Sequence, residues 1–270
     1  MPSTEIIILK ESRQRALDAA EKLVTARART AVRPIYVNDG HDPVHFATCT
    51  FITVDDQDYL VTCAHVIDQS DHATLFVAQG KLHGINAIFS ITNAPSGDRN
   101  LDSIDFAFTP VGPEWRERDI APLTEDDMKS PCTDFYCAYG FPNSRNTKKS
   151  INHPAKSIKP TAKPFISKRV NDAAVLSAAG IGGEHYLAIF RDPKSAYDEG
   201  KHVTPFEPAG MSGGAIFAMH HLSHPNVLAG LEAPTISCAA IITHKNPEHK
   251  LLYGTKLSSV VAAIRSSLPT

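Results

Sequence analysis

From Arg33 onward the chain breaks into short apolar or alternating runs separated by turn signals, and this pattern limits its fold more than any other feature. The first group holds "AVRPIYV", the pair "CTFITV" and "YLVTC" around a polar Asp55-Asp56-Gln57-Asp58 turn, a second pair about Gly80 in "ATLFVAQGKLHGINAIFSI", and "SIDFAFTPV". The second group holds "DFYCAYGFP", "PFISKRV", "EHYLAIFRD", "GGAIFAM", "ISCAAIITH" and "LLYGTKL". Strands this short and this numerous predict an all-β protein of two barrels or two sandwiches. No period of the solenoid or propeller kind is present.

Helical periodicity belongs to the two ends. "ESRQRALDAAEKLVTARART", from Glu11, sets Ala16, Leu17, Ala20, Leu23, Val24 and Ala28 on one stripe, which predicts an amphipathic helix packed on the outside of the domain. "SSVVAAIRSSL" predicts a closing helix. Between the groups of strands, the polar stretch "GPEWRERDIAPLTEDDMKSP" reads as a linker. The expected organisation is a helical extension over 1–30, a first β domain over 31–115, a linker over 116–131 and a second β domain with its helix over 132–270.

A chain of 270 residues buries a sizeable core unaided, and its net charge of −2 gives no sign of wholesale nucleic-acid binding. Five widely spaced cysteines without a C-x-x-C motif suggest neither a disulfide framework nor a zinc ribbon. The apolar run Ile6 to Leu9 is too short for a signal-peptide core, and no stretch is long enough to span a membrane, so the expected setting is the cytoplasm.

The chemistry gathers around "FEPAGMSGGAIF". A serine hydroxyl is a weak nucleophile at neutral pH; it needs a nearby base, and the base needs a group that orients it. "VTCAHVID" puts His65 after a strand, "SIDFAF" puts Asp105 at the start of another, and "GMSGG" puts Ser212 in a glycine turn. Asp102 is the rival acid; Asp105 is favoured because "DFAF" has the apolar-small-apolar continuation of a strand.

Any one of these motifs alone is commonly structural. In the order T-x-A-H, D-[apolar]-A-[apolar], G-x-S-G-G they resemble the chymotrypsin/trypsin-like serine protease family over about residues 31–268. The resemblance implies two six-stranded antiparallel β-barrels and an endopeptidase acting on peptides or proteins through an acyl-enzyme, without cofactor or metal. His65 would be the general base, Asp105 its orienting acid and Ser212 the nucleophile. The amides of Gly210 and Ser212 would form the oxyanion hole, with Gly213 and Gly214 clearing space behind. Thr243 and His244 would pair with substrate backbone beside the primary specificity pocket, and Phe206 and Glu207 would lie near its base.

Two positions depart from the family pattern. Met211 precedes the nucleophile where digestive enzymes have an aspartate that pairs with a cut N-terminus, so that activation switch is missing. Val66 replaces the cysteine after the histidine, leaving Cys49 without its usual partner. Both changes suit bacterial or intracellular members. The remaining alternatives are a restrained or non-catalytic module that binds a peptide or protein partner, and an esterase with the same triad.

Residues 145–169 hold eight lysines and arginines and no acid. Such a stretch is ordinarily a solvated loop, or else it attracts an acidic or regulatory partner. His220, His221 and His224 read as surface-loop residues rather than metal ligands, and Cys63 as a small buried strand residue.

Overall fold

The two-residue turn at Asp55 and Asp56 opens the fold: both take left-handed φ, 47° and 63°. Such a turn matches the right-handed twist of the strands it joins. The second strand therefore resumes at Gln57, two residues before the expected Tyr59. The structure is a computed structural model describing residues 4–38, 42–70, 73–99, 102, 104–129, 133–152, 154–155, 157–190, 197–198, 201–202 and 207–267.

The first group of runs forms β1 (Val32–Asn38), β2 (Pro43–Val54), β3 (Gln57–Thr62), β4 (Leu75–Gln79), β5 (Lys81–Gly84), β6 (Ser90–Ile91) and β7 (Ala107–Pro110). They make one antiparallel sheet in the order β5-β4-β1-β2-β3-β7-β6. Its curled face buries Ile35, Cys49, Phe51, Leu60 and Val77 against Trp115.

The second group begins with β8 (Phe135–Gly140); a small hairpin of β9 (Ile151–Asn152) and β10 (Ser157–Ile158) follows. Then come β11 (Lys163–Lys168), β12 (Tyr186–Phe190), β13 (Tyr197–Asp198), β14 (Lys201–His202), β15 (Ala215–His220), β16 (Thr235–Asn246) and β17 (Leu251–Lys256). The sheet order is β12-β17-β16-β15-β8-β11-β13-β14. A bridge between Arg169 and Ile189, with the Val170 amide donating to Ala188 O at 2.9 Å, brings the β11 side back against β12. This curls the sheet round Tyr136, Phe165, Leu187, Met211 and Ile216. The sheets have seven and eight strands where six each were expected; the excess lies in two-residue pieces, β6 in the first sheet and the β13/β14 pair in the second.

The helices are α1 (Thr4–Ala31), α2 (Ala64–Asp68), α3 (Glu125–Met128), α4 (Ala173–Ala178), α5 (Pro225–Ala229) and α6 (Leu257–Ser267). Ala16, Ala20, Val24 and Ala28 of α1 and Val260 and Ile264 of α6 join one cluster with Ile52 of the first sheet and Tyr139 and Phe217 of the second. The small alanines let α1 lie close to both sheets, while Leu23, expected on the stripe, is exposed. Within 116–131, Leu123 exchanges backbone bonds with Phe51 and Thr53 of β2.

The basic stretch keeps Lys148, Lys149 and Lys159 exposed but is anchored at single points. Ile158 donates its amide to Gly80 O at 2.9 Å and buries its side chain with Tyr36 and Ala78 of the first sheet. The Asn146 side chain ties Pro142 O to Thr161 O, and β11, with Lys163 and Lys168, is a strand of the second sheet. Apolar residues interleaved with the lysines drive this docking. Among the described residues no helix is long and apolar enough to cross a membrane.

Candidate active site

β3 ends at Thr62, and extended Cys63 leads into the single turn of α2, which carries His65. Two bonds fix this histidine to one carboxylate: its amide donates to Asp105 Oδ1 at 2.9 Å and its Nδ1 to Asp105 Oδ2 at 2.6 Å. Asp105 lies two residues ahead of β7, fully buried, with a left-handed φ of 27°. A non-glycine residue held there is strained, and the surrounding bonds hold it. The rival Asp102 supplies several of them. Its carboxylate accepts the Ile104 amide at 3.1 Å, Thr92 Oγ1 at 2.5 Å and the Arg99 guanidinium at 2.6 Å. Thr255 Oγ1 fixes the Ile104 carbonyl at 2.5 Å. Asp102 thus braces the loop, and Asp105 meets the histidine.

On its other side His65 Nε2 lies 3.1 Å from Ser212 Oγ. The loop carrying Ser212 turns through left-handed Gly210, φ 91°, and Gly213, φ 87°. Residues of β2 clamp it: the Thr48 amide donates to Ser212 O at 2.9 Å, Thr48 Oγ1 to Gly210 O at 2.8 Å and Thr50 Oγ1 to Gly213 O at 2.9 Å. Gly213 also donates to Ile242 O at 2.8 Å. Met211 is fully buried in the second sheet's core, so apolar packing holds the loop where digestive enzymes use an ion pair. The amides of Gly210 and Ser212 have no acceptor among the described residues.

Beside Ser212 lies a cavity of about 370 Å³ lined by His65, Ala209, Ile242, Thr243, His244 and Leu252, among others. Thr243 is buried with its Oγ1 unpartnered. His244 stacks on Tyr253, centroids 5.2 Å apart at 10°, with Nε2 3.5 Å from Asp105 Oδ2. Its ring is thus turned toward the buried acid, and burial lowers its pKa despite that charge. Glu207 is exposed and paired with Lys245 at the rim. Phe206 lies outside the described residues.

Cys63 Sγ comes within 4.8 Å of ligand atoms of His65 and Asp105. Burial, and then the charge of Asp105, push its pKa well up, and it donates to Ile242 O at 3.1 Å, as a small buried strand residue would. His220 departs from expectation: it ends β15, is buried, and bonds Ser237 Oγ through Nε2 at 2.8 Å. The sequence reading missed the clamp residues Thr48 and Thr50. Their two-residue spacing on one strand face was the available signal, and it does not distinguish a functional pair from any half-buried strand.

No family model matches the sequence, and no curated protein matches it. In structure the chain is similar to the serine protease domain of the Sesbania mosaic virus polyprotein, at 13% identity and a TM-score of 0.50, covering 89% of this chain and 94% of that one. It is also similar to the serine endoprotease from Yersinia pestis, at 14% identity and a TM-score of 0.50, covering 91% of this chain and 65% of that one. At these identities the likeness is one of fold. With two curled antiparallel sheets and flanking helices, the chain has the chymotrypsin/trypsin-like serine protease fold.

Proposed function

We propose that the chain is a serine endopeptidase. The observation that carries this reading is the continuous relay from Asp105 through His65 to Ser212, at 2.6 and 3.1 Å, beside two amides with no acceptor among the described residues. His65 Nε2 takes the Ser212 proton as Oγ attacks the scissile carbonyl, and Asp105 stabilises the imidazolium and fixes its tautomer. The Gly210 and Ser212 amides receive the oxyanion, which is where such sites gain much of their rate. His65 then protonates the leaving amine, and water attacks the acyl-enzyme by the same base. Thr243, His244 and Glu207 border the path of a bound peptide. The buried free thiols of Cys49, Cys63, Cys137 and Cys238 suit a reducing compartment such as the cytoplasm.

The test is covalent labelling with a fluorophosphonate probe. Wild-type protein should label at Ser212, and Ser212→Ala should lose labelling while keeping its fold. Labelling that persists in Ser212→Ala, or a wild type that does not react, overturns the reading.

A further inference from the structure

The Gly210 amide can serve as an oxyanion donor only if the peptide joining Ala209 to Gly210 keeps one orientation. In a trans peptide the carbonyl and the N–H point in opposite directions. Whatever holds Ala209 O therefore aims the Gly210 N–H. That oxygen accepts the backbone amide of Asn143 at 2.7 Å.

Asn143 follows β8 in a turn closed by the Arg145 amide on Pro142 O and the Asn146 amide on Asn143 O, and its side chain adds a tie to β2. Its side-chain Oδ1 accepts from His45 Nδ1 at 2.6 Å. His45 is buried on β2, where the register with β1 shifts: Ile35 pairs with Ala47, but Tyr36 pairs with His45. The skipped residue is a bulge, a device that re-aims side chains. The His45 ring meets Tyr36 edge to face, centroids 5.4 Å apart, which fixes its plane. Burial lowers its pKa to about 4, so the ring is neutral at working pH. Its Nε2 is buried with no partner among the described residues, and the Asn143 oxygen can only accept, so the proton belongs on Nδ1.

The pair also touches the loop directly. A methyl group built on Gly210 would collide with Asn143 Oδ1 and lie 2.8 Å from His45 Cε1. Three features thus converge on one peptide: the bond to its oxygen, the lock on the residue giving that bond, and the packing against Gly210.

Resting on the endopeptidase reading, we propose that His45 and Asn143 are positioning residues that hold the 209–210 peptide with its N–H toward the cleft. They do this without the ion pair that Met211 rules out. The oxyanion hole is then positioned by a contact between His45 of β2 and Asn143 of the turn after β8.

The variants are His45→Phe, which keeps the ring and removes the donor, Asn143→Ala, and His45→Asn, whose amide nitrogen stands where Nδ1 stood. The readouts are the first-turnover acylation rate with p-nitrophenyl acetate, the Gly210 amide resonance by NMR and the thermal unfolding midpoint. His45→Phe and Asn143→Ala should each slow acylation about 10- to 100-fold, less than the full loss of one oxyanion donor. Together they should slow it no further, because they act through one peptide. Both should move the Gly210 amide resonance, with the unfolding midpoint little changed, and His45→Asn should recover much of the rate. An unmoved Gly210 resonance in both variants overturns the proposal, as does wild-type acylation in both. If the wild type shows no acylation, the peptidase reading fails, and the Gly210 resonance alone decides the positioning role.

Discussion

Thr48 Oγ1, on β2 of the first sheet, donates to the carbonyl of Gly210 in the second sheet's Ser212 loop at 2.8 Å. The same oxygen accepts the Phe141 amide at 3.1 Å, so one hydroxyl joins β2, the end of β8 and the loop. His65 and Ser212 come from different sheets, and their 3.1 Å approach depends on how the sheets are held. Thr48→Val keeps the shape and strands both partners. Each buried group left unpaired costs about 1 to 3 kcal/mol. Chemical denaturation should show a loss in that range, and fluorophosphonate labelling should slow. Unchanged stability would mean that water replaces the hydroxyl.

Gly213 leaves no room for a side chain. Its φ is 87°, and an added Cβ would collide with the Thr48 carbonyl and lie 2.5 Å from Thr62 Oγ1. The obstacle is β2 backbone, which cannot rotate away. Gly213→Ala should therefore lose about 2 kcal/mol or more, from strain and displacement together. Gly230→Ala is the control: its φ is 76°, and an added Cβ meets nothing within 4 Å. It should show the strain of the backbone conformation alone. Equal losses in the two variants would remove the argument from close packing.

Asp105→Asn tests the relay apart from the fold. The amide is nearly isosteric with the carboxylate, but its nitrogen presents a donor that favours the wrong His65 tautomer. The rate of peptide hydrolysis should fall by about 10⁴-fold with the unfolding midpoint little changed. Asp102→Asn should show the reverse ranking, with a larger effect on stability than the brace's distance from the nucleophile would suggest for activity. If the two swapped places, the acid would be Asp102.

Much of this arrangement was legible in the sequence because it rests on local signals. Ser212, His65 and Asp105 stand in short motifs at the ends of strands, and short runs bounded by turn signals mark β2, β3, β15 and β16. Asp105 was preferred to Asp102 on the "DFAF" continuation, and the geometry gives the physical ground: Asp102 spends its oxygens on Thr92, Arg99 and a loop amide. What stayed hidden depends on contacts far apart in the chain. His45 and Asn143 are separated by 98 residues, and neither carries a local motif. The docking of 145–169 turns on Ile158 reaching Tyr36 and Ala78, which a count of lysines does not reveal. His220 looked like a loop residue because "MHHLSH" is polar, yet β15 runs one residue further and buries it beside Ser237.

Asp102 also gives the site a definite acid limit. Burial pushes its carboxyl up, but bonds from Thr92, from the Asp105 and Ile104 amides and from Arg99 outweigh burial and hold it below the usual range. A carboxylate whose folded pKa is depressed stabilises the fold above its unfolded value, about 3.9. That contribution is lost as pH falls through the lower folded value. Stability measured from pH 6 downward should therefore drop on the acid side of the ordinary carboxylate range. In Asp102→Asn the drop should be shallower, from a lower starting point. An identical acid limb in both proteins would show that other carboxylates carry it.

Arg27 of α1 supplies a last test, of how the segment between the two sheets is fixed. Its guanidinium donates to Ala121 O at 2.8 Å, to Pro122 O at 2.6 Å and to both carboxylate oxygens of Asp127 at 2.9 and 2.8 Å. Asp127 in turn accepts the Thr124 amide at 2.8 Å, which caps α3, and Leu123 between them pairs with β2. One arginine therefore ties α1, the 121–127 strap and, through Leu123, the C-terminal half of β2. Arg27→Ala should cost about 2 kcal/mol, the scale of a charge-assisted network that is only partly exposed. Arg27→Lys should recover little, because a point charge cannot fork between two carbonyls and a carboxylate. Hydrogen exchange should show faster exchange at Leu123 and Thr53 in both variants, while Gly213, whose amide is held by Ile242 O, should be unaffected. Faster exchange at Gly213 as well would mean that the strap and the Ser212 loop open together, and that α1 supports the candidate site directly.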